Sequence, residues 1–95
     1  MPKAYWIAHV TVTNTDQYKL YAEGAPAAFK KYKARILARG GAFKQLEGEG
    51  HARNVVIEFD SMEAALACYN SEEYQAAKQH RKDAGIAEIV IVEAV

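Results

Sequence analysis

Residues 4–12, AYWIAHVTV, constrain this chain more than any other stretch. Successive side chains of a strand point to opposite faces, so a strand on the skin of a small domain alternates apolar with polar residues. Here Tyr5, Ile7 and His9 fall on one face, and Trp6, Ala8, Val10 and Val12 on the other. Both faces are largely apolar and both need cover. Ninety-five residues make a single domain, residues 1–95, with no room for a second core. The chain is 51% hydrophobic and 25% charged, which is the balance of a globular protein and argues against disorder.

The other elements follow from periodicity. The first strand ends in TNTD, where Thr15 or Asp16 is placed to cap a helix. From Tyr18, apolar residues recur at Ala22, Ala25, Phe29, Tyr32 and Ile36, one helical stripe. Gly24 and Pro26 interrupt it, and the proline ring predicts a kink. RGG supplies a helix stop at Gly40. AFKQLEG reads as a short strand, EGHA as a hairpin loop and RNVVIEF as the next strand. DSMEAALACYN is a helix with Asp60 and Glu63 as a capping box. SEEYQAAKQHRKDAG starts a helix again at Ser71, with Glu72 and Glu73 at the positive end of its dipole. AEIVIVEAV is the last strand.

The order strand, helix, strand, strand, helix, strand predicts an α+β, ferredoxin-like βαββαβ fold. It has a four-stranded antiparallel sheet with the first and third strands central. Right-handed crossovers put the helices on one side of that sheet. The other side is left bare, exposing Val56 and Val90 or their neighbours and one face of the first strand. Leaving about four to six such side chains in water forfeits ~1.5–3 kcal/mol each. The total, roughly 10 kcal/mol, rivals the ~5–15 kcal/mol stability of a whole domain. The simplest cover is a second copy, sheet against sheet, about a two-fold axis.

The strings RGG followed by LEGEG, RNVVIEF and CYNSEEYQAA, with a later Arg81, resemble the bacterial domain-of-unknown-function family 1330. The resemblance covers nearly the whole chain, and Arg53 to Ala77 is its most specific part. It implies membership of the dimeric α+β barrel group, where two ferredoxin-like sheets face each other. That group includes cofactor-free monooxygenases, muconolactone isomerases and haem-binding relatives. No activity follows from the family itself. One departure is Cys68, where relatives often place a tryptophan, so a stacking role does not carry over to that position.

Several residues are candidates for chemistry. His9 shares a strand face with Tyr5 and Ile7, and the neighbouring central strand carries Glu58. A carboxylate beside the imidazole would fix its tautomer and raise its basicity, as a general base requires. The plainer alternative is a histidine satisfied by a hydrogen bond or placed at a dimer seam. Tyr18, Tyr21, Tyr69 and Tyr74 combine an apolar body with one hydroxyl, which suits a ligand pocket and an ordinary core alike. Arg53, Arg39 and Arg81 present planar forks for a carboxylate, and the family resemblance favours Arg53 and Arg81. Their alternative is internal pairing, of Arg53 with Glu47 and of Arg81 with Glu73 or Asp83.

Other classes of function find less support. His9, His51 and His80 are scattered at no ligand spacing, and a lone cysteine makes no zinc site or intrachain disulfide. Twelve basic residues balance twelve acidic ones, so KKYKAR reads as a solvated helix face and not as a nucleic-acid patch. Gly40 and Gly41 follow a helix and lack the lysine of a phosphate cradle. Cys68 has no basic neighbour and reads as a structural thiol. No run approaches the ~20 apolar residues of a membrane span, and MPKAYWIAHV lacks the form of a signal peptide.

The expectation is a cytoplasmic homodimer without metal or cofactor, with neither nucleic acid nor membrane as partner. It would hold a small planar or carboxylated organic ligand between helices and sheet or at the seam. In an enzyme version, a cofactor-free oxygenase or isomerase, His9 and Glu58 would do acid–base work. Tyr18, Tyr21, Tyr69 and Tyr74 would be walls, and Arg53 or Arg81 the anchor. The alternative is a non-catalytic dimeric binding or stress-associated module.

Overall fold

The computed structural model describes residues 2–95 and contains seven elements. They are β1 (Ala4–Val12), α1 (Thr15–Lys31), β2 (Arg35–Arg39), β3 (Arg53–Phe59), α2 (Met62–Tyr69), α3 (Glu72–Arg81) and β4 (Gly85–Glu93). The sheet runs β2-β3-β1-β4 with every pair antiparallel, so the first and third strands are central as expected. This is the ferredoxin-like arrangement.

The two faces of β1 separate cleanly. Ala4, Trp6, Ala8 and Val10 are buried beneath the helices. Tyr5, Ile7, His9 and Thr11 lie on the open side. Trp6 is the centre of the core, 1% exposed. Its ring lies 5.0 Å from that of Tyr74 and 5.4 Å from that of Phe29, both edge-on, and 6.0 Å from Phe59, stacked.

Helix α1 differs from expectation at both ends. Its cap is Asn14, whose side chain accepts from the Gln17 amide at 3.1 Å, and not Thr15 or Asp16. It runs through Pro26 without a break and stops at Lys31, well before Gly40. The stop is a Schellman pair: Ala34 N–H donates to Phe29 O at 2.9 Å and Lys33 N–H to Lys30 O at 3.2 Å. Lys33 takes the left-handed position, φ 59°, where glycine is usual. Gly24 serves close packing instead of interrupting the helix, because a Cβ there would sit 3.2 Å from the Cβ of Ala77 on α3.

The segment after α1 therefore shifts. Ile36 and Arg39, expected on the helix, belong to β2, and the strand expected over AFKQLEG is an exposed loop. Gly40 has φ 65° and turns the chain out of β2, its N–H donating to Asn54 O at 2.9 Å. The cap of α2 is Ser61, accepting from the Ala64 amide at 3.0 Å, while Asp60 pairs with Arg35 at 3.0 Å. Ser71 caps α3 as expected, accepting from the Tyr74 amide at 3.1 Å.

All three helices cover one side of the sheet. The molecule is a slab whose Cα trace measures 37 × 33 × 17 Å. On the uncovered side Ile86 is 61% exposed and Val90 55%, with Val92 beside them and Ile7 and Val56 half-buried between. This is the bare apolar face that the strand pattern called for.

Trp6→Ala is expected to cost about 3–5 kcal/mol, the loss of a large buried aromatic plus the hole it leaves. Denaturant unfolding of the two proteins measures this directly.

Candidate functional site

Small residues open a space between α1 and the sheet. Ala8 on β1 faces Ala22 and Ala25 on α1, and these side chains do not fill the gap between helix and strands. The result is a cavity of about 350 Å³. Trp6, Tyr18, Tyr21 and Phe29 form its aromatic walls, and Arg39 and Arg53 stand at its β2–β3 side.

Arg53 is the unusual member. It is opposite Val10 in the register and so points to the helix side of β3. Its guanidinium carbon lies 5.6 Å from the Tyr18 ring centre, a cation–π contact. Its Nε is enclosed and has no hydrogen-bond partner. Among the described residues no carboxylate is within ion-pair distance, so the expected alternative partner, Glu47, is not engaged. The turn at Gly40 makes this placement possible, because a Cβ there would lie 2.7 Å from the Arg53 Nη1. Among the described residues no acidic side chain or histidine lines the cavity.

The structure divides the other candidates. Tyr18 and Tyr21 line the cavity with ring centres 5.3 Å apart. Tyr74 and Arg81 lie behind Tyr21 and are buried. Arg81 does not pair with Glu73 or Asp83; its Nη1 donates to the Tyr74 hydroxyl at 3.2 Å. Glu73 is taken by Lys31 at 2.9 Å. Tyr69 is away from the cavity, its hydroxyl accepting from Lys78 Nζ at 2.9 Å. Burial pushes the Tyr21 and Tyr74 phenols above their ordinary range. The same cause lifts the buried Cys68 thiol to about 11, which keeps it protonated and unreactive near neutrality.

His9 and Glu58 share the open face as expected, but the structure does not bring them together. The register sets Tyr5 opposite Glu58 and His9 opposite Asn54. Four residues of strand, about 13 Å, separate the two. His9 Nδ1 bonds Asn54 Oδ1 at 2.6 Å instead, and His51 reaches from its loop to Thr11 Oγ1 at 2.6 Å and Glu88 at 2.9 Å. Glu58 accepts from Arg35 Nε at 2.7 Å and from the Tyr5 hydroxyl at 3.1 Å. The Arg35 bond chiefly holds its carboxyl below the ordinary carboxylate range. His9 and Glu58 are thus each satisfied within the sheet.

The family model for the domain of unknown function DUF1330 matches residues 3–95. The chain belongs to the DUF1330 family. Its fold is also that of several solved structures. A protein of unknown function from Rhodopseudomonas palustris matches with TM-score 0.81 and 16% identity, covering 99% of this chain and 83% of that one. SnoaB, a cofactor-independent oxygenase from Streptomyces nogalater, matches with TM-score 0.68 and 9% identity over 100% of this chain and 95% of its own. A dimeric ferredoxin-like protein of unknown function from Bacteroides fragilis matches with TM-score 0.66 and 15% identity, covering 97% and 96%. No curated protein matches the sequence. Among the described residues no helix is long and apolar enough to cross a membrane, and no three metal-binding side chains converge.

Sequence reasoning ranked Arg39 below Arg53 and Arg81, yet Arg39 reaches the cavity and Arg81 does not. The missing signal was the early end of α1, which converts Arg39 from a helix terminus to a strand residue opposite Val55. Trp6 and Phe29 were visible as core residues but not as cavity walls.

A carboxyl held below its ordinary range stabilises the folded state above the unfolded value. That contribution is lost as pH falls through the folded value. Acid unfolding from about pH 6 to pH 3 is therefore expected to be shallower in Glu58→Gln than in the wild type, read from urea midpoints at each pH.

Proposed function

We propose that this chain acts as a homodimer, joined through the open sheet faces, whose helix-side cavity binds a small planar organic carboxylate. The observation that carries the ligand is Arg53, whose Nε is buried without a hydrogen-bond partner and whose guanidinium lies against the Tyr18 ring, with no carboxylate in ion-pair distance among the described residues. A partly desolvated, unpaired cation is costly, and a planar carboxylate supplies both the charge and the bidentate geometry it lacks. Tyr18, Tyr21, Trp6 and Phe29 offer flat apolar walls for the rest of the ligand.

The open face supports the dimer. A slab 17 Å thick presents a broad side of 37 by 33 Å, ample for the roughly 800 Å² per partner of a standard interface. The face is apolar at its centre, where Ile7, Val56 and Val90 meet, and polar at both ends. His9, Asn54 and Glu88 lie at one end, Tyr5, Glu58 and Arg35 at the other. The same patch on both copies buries the apolar centre about a two-fold axis. The dimeric description of the Bacteroides fragilis neighbour is in keeping with this. A cytoplasmic setting goes with the free Cys68.

Binding is favoured over turnover, because the cavity lining holds no carboxylate or imidazole to move a proton. The oxygenase version rests on the fold shared with SnoaB alone.

Thermal shift with a naphthalene carboxylate and its methyl ester tests the site. At a hundredfold excess over Kd the acid is expected to stabilise by about 2.7 kcal/mol. That raises Tm by roughly 10 °C or more in a domain of this size, and the ester is expected to do nothing. Arg53→Met is expected to lose the shift while leaving the free protein as stable as before or more so, since it relieves an unpaired cation. Equal shifts in wild type and Arg53→Met would refute the site.

A further inference from the structure

Behind the cavity wall runs a chain of hydrogen bonds with a forced direction. Arg81 on α3 is buried, with no carboxylate partner among the described residues. Its guanidinium carbon lies 5.0 Å from the Tyr21 ring centre, and its Nη1 donates to the Tyr74 hydroxyl at 3.2 Å. The Tyr74 and Tyr21 hydroxyl oxygens are 2.9 Å apart. A guanidinium is a donor only. Tyr74 therefore accepts from Arg81, and its own proton has one acceptor within reach, the oxygen of Tyr21. The opposite polarity would leave a fully buried O–H unbonded, a cost that folded proteins avoid. Tyr21 then receives a hydrogen bond and keeps its own proton to give. No acceptor among the described residues takes that proton, and Tyr21 lines the cavity. Burial keeps both phenols protonated at neutral pH.

We propose that Tyr21 is a ligand-contacting hydrogen-bond donor, oriented by Tyr74 and Arg81. The occupant then carries a second oxygen acceptor, a ring ketone or a phenolate, in addition to the carboxylate held at Arg53. This rests on the carboxylate site proposed above and narrows its ligand class. The Tyr18 ring stands between the two contact points, 5.6 Å from the Arg53 guanidinium carbon and 5.3 Å from the Tyr21 ring, so a fused bicyclic compound spans them. Donation along a chain polarises each successive bond, so a buried arginine at its head strengthens the donor at its end. Tyr74 and Arg81 are positioning residues, and Tyr21 makes the contact.

Calorimetric titration with two carboxylates of the same outline tests the assignment: a naphthalene carboxylate, and a chromone carboxylate that adds a ring ketone. The wild type is expected to bind the chromone about fivefold to tenfold more tightly, the effect of one neutral hydrogen bond. Tyr21→Phe is expected to abolish that preference, read as the ratio of the two affinities, with an unfolding midpoint near that of the wild type showing that the variant is folded. Tyr74→Phe removes a hydroxyl farther from the cavity and is expected to reduce the preference without touching naphthalene binding. Equal affinities in the wild type, or a preference that survives Tyr21→Phe, would overturn the donor while binding of both compounds through Arg53 still stood. An unchanged preference in Tyr74→Phe would overturn the relay. Failure of either compound to bind the wild type would overturn the carboxylate site and this inference together.

Discussion

One-sided cover of the sheet governs the rest of this structure. Both crossovers bring α1, α2 and α3 onto the same face, so the central strand β1 gives Trp6, Ala8 and Val10 to the core and Ile7 to the outside. Among the described residues no element covers the other face. Ile7, Val56 and Val90 keep a cost of about a few kcal/mol that burial on one side cannot remove, a large share of the net stability of a small domain. Sheet and helices suffice to make a fold. The apolar outer face is what the proposed dimer would cover.

The covered side departs from dense packing at one place. Alanines at 8, 22 and 25 leave space where larger side chains would close it, and two arginines without acidic partners stand at its edge. A void and an unpaired guanidinium each lower stability, and neither is needed to form the elements around them. Their coincidence is the observation on which the proposed ligand site rests. By contrast the polar side chains reaching the open face are matched. Arg35 has Glu58 and Asp60, and His51 has Thr11 and Glu88.

Much of this could be read from the residues. The two apolar sets of β1, the serine cap of α3 and the order of elements lead to the topology, because each depends on local periodicity or local capping. The end of α1 could not be read. Its left-handed stop falls on Lys33, which carries none of the glycine signal, while the nearby Gly40 belongs to the turn after β2. That misplacement moved β2 and hid Arg39 from the site. The pairing of His9 with Glu58 failed for a different reason. Alternation fixes the face a residue occupies but leaves its neighbour across the ladder open, and only the register set that neighbour as Asn54. β1 and β3 are not consecutive strands, so no hairpin turn specifies that register.

Sedimentation velocity on the wild-type chain in dilute buffer tests the central claim most directly. The account predicts a species of twice the 10.5 kDa chain mass at micromolar concentration, reduced to monomer by Val90→Lys at the centre of the open face. A wild-type chain that sediments as a stable monomer with that face in water would contradict it.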